Sequence, residues 1–300
     1  MRFYRTDQFP LPLPAGHRFP AEKYAMLAEA VSAFAADAMD TPPAASRYEL
    51  TLAHDADYVD QVLGGSLPEK AWREIGLPGS PQLVERSRRS VGGTIAAARS
   101  ALIAGCSANL AGGTHHAYAH KGSGFCVFND VAVAARLMLA EGLIRRVLVV
   151  DLDVHQGNGT AAIFRDDARV FTFSMHGAKN FPFRKETGSL DIDLPDGAGD
   201  ADYLAQLADA LPRVFAAQQP DMVFYLAGAD AYAGDRLGKL ALSMEGLLAR
   251  DRLVLDACRS NGTALVITMA GGYAQPIADT VAIQTNTLRL AWDCYQTPLP

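Results

Sequence analysis

The stretch Arg146-Val-Leu-Val-Val150 is apolar and β-branched behind its first residue. It gives way at once to Asp151-Leu-Asp-Val-His-Gln-Gly-Asn-Gly-Thr160. A short, continuous apolar run of this kind reads as a strand buried on both faces, and so as part of a parallel sheet covered by helices. Side chains alternate on extended backbone, so Asp151, Asp153 and His155 point to the same side. Two carboxylates and an imidazole ahead of a Gly-x-Gly turn are metal-ligand chemistry. The rest of the chain must build a layered α/β frame around this strand and complete its site.

The remaining periodicity agrees. Strands are expected at 2–5, 46–52, 108–111, 146–151, 169–175, 221–227 and 264–269. Helices are expected at 21–38 (with Pro20 as its first-turn residue), 55–63, 82–104, 129–141, 157–164, 200–218, 243–260 and 276–290. Strands and helices alternate from residue 108 onward, which predicts helices on both faces of the sheet. No repeat, low-complexity segment or linker divides the sequence. The expectation is α/β: one three-layer α/β/α domain over residues 1–300 with a central, mainly parallel sheet. A chain of 300 residues that is 49% hydrophobic supplies the core this needs.

Charge narrows the function classes. The net charge of −6 lacks the basic footprint that nucleic-acid binding requires. Cys106, Cys126, Cys258 and Cys294 are scattered without a CxxC spacing, which fits reduced thiols and not a thiolate metal site. The N-terminus has no signal-peptide pattern and no apolar run reaches membrane-spanning length, so a cytoplasmic location without membrane contact is expected.

Ligands of open parallel sheets sit beyond the carboxyl ends of the strands. Five successive strand ends here carry glycine-softened turns: Gly112-Gly-Thr-His-His116, the 151–160 stretch, His176, Ala227-Gly-Ala-Asp230 and Ala270-Gly-Gly-Tyr273. Asp130 reads as a helix cap, and His17, His54 and His120 read as structural or surface residues. Asp153, His155 and Asp230 supply one nitrogen and two carboxylates with positions left open, the count of a catalytic zinc site. Fe²⁺ suits the same donors. Gly157 and Ala231 offer no second ligand set, so one metal is expected. Asp151, the tandem histidines and Tyr273 would then provide an orienting acid, a base and an oxyanion donor, a full set for amide hydrolysis.

With these motifs the sequence resembles the histone deacetylase family of metal-dependent amidohydrolases, in the arginase–deacetylase fold. The motifs are Gly112-Gly-Thr-His-His116, Gly124-Phe-Cys-Val-Phe-Asn-Asp130, Asp151-x-Asp-x-His155-x-Gly-Asn-Gly159, Gly228-Ala-Asp230 with Gly234-Asp-Arg-Leu-Gly238, and Gly271-Gly-Tyr273. The segments His17-Arg-Phe-Pro20 and Phe181-Pro-Phe-Arg-Lys-Glu-Thr-Gly188 look most like the class IV branch and its bacterial relatives. The resemblance implies Zn²⁺ on Asp153, His155 and Asp230. It implies His116 as general base, His115 backed by Asp151 as its electrostatic partner, and Tyr273 as oxyanion donor. Gly124, Phe125, Phe181 and Gly272 would contact substrate. K⁺ would be held by carbonyls of Asp151, Asp153, His155 and Met175 and the Ser174 hydroxyl, with a second such site near Phe164, Asp167 and Val170. Asn158 stands where class I members carry Asp, so His116 should be less basic. The implied reaction removes an acyl group, acetyl by default, from the ε-amino group of lysine. The alternatives are an acetylpolyamine or other small-molecule amide, with Glu186 and Asp235 as candidate amine readers, a long-chain acyl-lysine, and a non-catalytic binding module.

Overall fold

The computed structural model describes residues 1–296. Eight strands form one sheet: β1 Phe3–Tyr4, β2 Met39–Asp40, β3 Cys106–Asn109, β4 Val147–Asp151, β5 Val170–Gly177, β6 Leu190–Leu194, β7 Met222–Leu226 and β8 Ala264–Thr268. Their spatial order is β2-β1-β3-β8-β7-β4-β5-β6. Every pairing is parallel, so the "mainly parallel" expectation sharpens to wholly parallel. All eight carboxyl ends therefore open on one edge, where the tips of β3, β4, β7 and β8 converge.

Period-2 geometry divides the core in two. Leu148 and Val150 of β4 pack into one apolar cluster, while Val147 and Val149 pack into the other. Val223 and Tyr225 of β7 follow the first, and Met222, Phe224 and Leu226 the second. Helices Lys23–Ala35, Asp200–Gln218, Met244–Ser260 and Ile277–Gln296 cover the first face through residues such as Leu27, Leu207, Val254 and Leu288. Helices Ala56–Leu63, Pro81–Ala104 and Asp130–Ala140 cover the second through Val59, Val91 and Val131. Each such side chain stabilises the fold by about 1.5–3 kcal/mol through burial. Among the described residues no helix is long and apolar enough to cross a membrane.

Two expectations need correction, and three elements lie outside the expected set. Residues 46–52 are not a strand, because Arg47–Leu50 is helical. Ser46 Oγ accepts from the Glu49 amide (3.2 Å) while the Glu49 carboxylate accepts from the Ser46 amide (2.6 Å). That capping box outweighs the alternation over 46–52. The helix expected from residue 21 begins at Lys23, so Pro20 precedes it instead of forming its first turn. Helix Glu69–Ile75 and the edge strands β2 and β6 have no counterpart among the expected elements. Leu190-Asp-Ile-Asp-Leu194 does carry the period-2 signal of a strand with one exposed face.

Candidate active site

Asp153 and His155 follow the tip of β4, Asp230 follows β7, and their ligating atoms lie within 4.8 Å of one another. His155 turns Nδ1 towards Asp153 Oδ1 (2.9 Å) and Asp230 Oδ2 (3.3 Å). The other oxygens are held by backbone. Asp153 Oδ2 accepts from the Gly271 amide (2.7 Å), and Asp230 Oδ1 accepts from the Val154 amide (3.0 Å). A Cβ on Gly271 would stand 1.8 Å from Asp230 Oδ2, so only glycine lets this backbone approach. Asp230 Oδ2 itself is buried without a hydrogen-bond donor. Burial and the neighbouring Asp153 push the Asp230 carboxyl up to about 6. Burial opposes a charge on His155 as well, but its hydrogen bond to Asp153 and the attraction of the two carboxylates prevail and raise it to about 10. A buried carboxylate oxygen with no donor, beside a second carboxylate and an imidazole, fits a divalent cation of the zinc or iron type.

The tandem histidines sit beside this cluster with their rings 4.1 Å apart. His115 Nδ1–H donates to Asp151 Oδ2 at 2.6 Å. Burial works against its charge, yet Asp151 and Asp153 outweigh burial and lift His115 to about 9. His116 is held the opposite way. Burial, then the neighbouring His115 and His155, drive it well below the ordinary imidazole value. Its Nδ1–H donates to Asn158 Oδ1 at 2.6 Å, and Asn158 Nδ2 donates in turn to the Tyr118 hydroxyl at 2.9 Å. That chain fixes both the amide orientation and the tautomer. It leaves the His116 Nε2 lone pair facing His115 Nε2–H at 3.2 Å. The pair therefore holds one charged and one neutral ring, with the neutral ring's acceptor nitrogen against the charged ring.

Tyr273 is buried across the same cavity, and burial together with Asp230 and Asp153 keeps its phenol protonated. Its backbone is pinned by Asp235, whose carboxylate accepts from the amides of Leu237 (2.8 Å), Gly238 (2.9 Å) and Tyr273 (2.6 Å). Asp235 thus faces inward and does not read an amine. Glu186 is also committed, accepting from the Tyr118 hydroxyl (3.2 Å) and Arg165 (2.5 Å).

The cavity holds about 670 Å³ and has Asp153, His155, His115, His116, Gly271 and Tyr273 on its floor. Phe125 and Phe181 line its walls. The Phe181 ring stands edge-on to His116 at 4.9 Å, and Phe125 packs against Phe19 at 5.4 Å. Gly124 also lines the cavity, at φ +53°, and a Cβ there would lie 2.5 Å from His116. Gly272 is placed differently from expectation. Its neighbour Gly271 meets the cavity, while Gly272 abuts Thr280 and its carbonyl accepts from the buried Lys23 Nζ at 3.2 Å. Ser174 lies opposite Asp151 in the β4–β5 register, and its hydroxyl contacts His176 Nδ1 at 2.9 Å. At the second expected cation position, the Phe164 and Asp167 carbonyls accept from the Asp167 and Val170 amides.

Two supporting residues, Asp130 and Arg250, have roles that the sequence does not show. Asp130 is not the cap, a role taken by Asn129. The Asp130 carboxylate instead receives the Gly113 amide (3.1 Å), the Thr114 amide (2.8 Å) and the Thr114 hydroxyl (2.6 Å), which sets the loop carrying both histidines. Arg250, fully buried on helix Met244–Ser260, donates to the carbonyls of Leu152 (3.3 Å) and Gly228 (2.6 Å). Those carbonyls lie one residue before Asp153 and two before Asp230. Only the folded chain joins them.

The domain model described as "Histone deacetylase domain" matches residues 17–288. The chain is 46% identical over 295 residues to an uncharacterized protein of Picosynechococcus sp., covering 97% of this chain and 98% of that one. It is 32% identical over 256 residues to histone deacetylase 2 of Arabidopsis thaliana, covering 82% of this chain and 66% of that protein, just under two thirds. The crystal structure of a histone deacetylase homologue from Aquifex aeolicus superposes with a TM-score of 0.83 at 22% identity, covering 100% of this chain and 85% of the other. At that identity the likeness speaks for the fold.

Proposed function

The chain belongs to the histone deacetylase family of hydrolytic deacetylases, and from that premise we propose that it hydrolyses ε-acyl-lysine amides, acetyl by default. The observation that carries this reading is the floor of one cavity. There Asp153 and His155, members of a cation-fitting cluster that the fully buried Asp230 completes, stand beside a neutral His116 and a protonated Tyr273.

Zn²⁺, or Fe²⁺, held by Asp153, His155 and Asp230 would polarise the scissile carbonyl and make water a better nucleophile near neutral pH. His116 Nε2 is the acceptor for the proton of the attacking water, since its Nδ1 is engaged by Asn158. His115, charged and backed by Asp151, keeps His116 neutral beforehand and so ready to accept. Tyr273 donates its hydroxyl proton in a hydrogen bond to the carbonyl oxygen as that oxygen gains charge. The proton that His116 takes from water then passes to the lysine nitrogen as the C–N bond breaks, releasing a carboxylate and an amine. Phe125 and Phe181 flank the lysine methylenes and exclude water from the floor.

K⁺ belongs to the same proposal, on the carbonyls of Asp151, Asp153, His155 and Met175 and the Ser174 hydroxyl; the Asp151–Ser174 register supports it. Four unpaired cysteines support a reducing compartment, the cytoplasm. The test is turnover of an acetyl-lysine peptide followed by mass spectrometry. Chelation should abolish it and Zn²⁺ or Fe²⁺ restore it. His116→Ala and Tyr273→Phe should each lower kcat by roughly a hundredfold or more. Full turnover by either variant would overturn the mechanism.

A further inference from the structure

The mouth of the cavity carries the opposite charge to the molecule. The chain has a net charge of −6, yet the exposed charged residues lining the mouth are Arg18, Arg73, Lys179 and Lys239 against one carboxylate, Glu74. Two of these cations have local partners, since Arg73 meets Glu69 at 3.1 Å and Lys179 stands 3.7 Å from Asp196. Among the described residues Arg18 and Lys239 make no side-chain ion pair. They come from segments far apart in sequence, so no local pattern required both to be basic. Phe183 adds an apolar surface at the same mouth and is 88% exposed.

We propose that this rim selects acyl-lysine presented in an acidic peptide segment and discriminates against polycationic amines. The inference rests on the reading of the floor as an acyl-lysine amidohydrolase. An opening lined by like charge repels a polyamine, whose remaining ammonium groups would have to sit at this mouth, and the same field attracts Asp and Glu flanking the lysine. Neither candidate amine reader is available, since Glu186 holds Arg165 and Asp235 holds backbone amides. An exposed phenylalanine beside the cations suits a peptide, which has chain to lay across it, better than a small amine.

The experiment compares fluorescently labelled acetyl-lysine peptides with flanking Glu or flanking Lys, by anisotropy on the metal-loaded full chain, with turnover of the same peptides read separately. At low ionic strength the acidic peptide should bind about five- to tenfold more tightly, the combined reach of several exposed charges. High salt should close most of that gap, as screening requires. The double variant Arg18→Glu, Lys239→Glu should remove or invert the ratio. Competition by an acetylated polyamine should be weaker than by the acidic peptide. Equal binding of both peptides by the unaltered protein at low salt, or preference for the basic one, overturns the inference. Acidic preference in binding without turnover of any peptide sinks the hydrolytic reading and leaves the rim inference standing. Turnover without charge preference does the reverse.

Discussion

Two groups of buried charge lie back to back in this molecule, joined through the backbone of Leu152 and Gly228. On one side Arg250 is paired with Asp251 at 2.7 Å, and Asp251 also accepts from the Tyr225 and Thr287 hydroxyls. On the other side Asp153, His155 and Asp230 crowd together and leave Asp230 Oδ2 with no donor. The first group is cut off from water, whereas Asp153 and His155 of the second line the open cavity. In the first, both carboxylate oxygens of Asp251 and the guanidinium have partners inside the protein. In the second an oxygen is held in place and left bare, with its carboxyl driven up to about 6. A buried charge that is closed on itself is structure, whereas one left open asks for a ligand. The closed group fixes the loops that carry the open one.

The comparison can be broken from the closed side first. Arg250→Met leaves Asp251 buried without its cation and should cost about 3–5 kcal/mol in urea unfolding. Arg250→Met with Asp251→Leu removes both charges and should recover much of that loss. A double variant as unstable as the single one would mean that the pair is not a self-contained unit.

The open side is tested by adding what it lacks. Zn²⁺ at a free concentration of a hundred times its Kd should raise stability by about 2.7 kcal/mol. Asp230→Asn should lose most of this gain. The sign with pH follows from the raised Asp230 carboxyl: below about pH 6 the folded protein keeps a proton there that the metal must displace. The melting-temperature gain on adding metal should thus be larger at pH 7.5 than at pH 5. A gain independent of pH would place the metal on other donors.

A smaller effect separates the two histidines. His115 and His116 each donate from Nδ1 over 2.6 Å, one to a carboxylate and the other to an amide, and one is raised while the other is lowered. Asn158→Asp would give His116 a carboxylate as well and raise it. Since a protonated His116 cannot accept, the acid limb of kcat/KM should move to higher pH by about one unit. An unmoved limb would show that Asn158 does not tune His116.

Much of this was legible in the chain. The apolar run at 146–150 demanded a buried parallel strand, and the alternation after residue 108 demanded helices on both faces. Asp151, Asp153 and His155 shared a face by period 2 alone. Where reading failed, a local or a distant partner decided. Ser46 and Glu49 closed a capping box that alternation could not reveal. Asp130 looked like a cap until the fold brought Gly113 and Thr114 to its carboxylate. Asp235 and Glu186 looked like free acids until the fold supplied their donors.

The sequence by itself determined the layered α/β frame and the residue types that meet at the strand tips, because burial and side-chain period are local properties of a chain. Only the tertiary structure decided which of those groups are satisfied. Hydrogen-bond partners of Asp230, His116 and Arg250 arrive from segments remote in sequence, and whether a buried polar atom is met or left bare depends on them. The open oxygen at Asp230 and the basic mouth above it are both outcomes of that convergence.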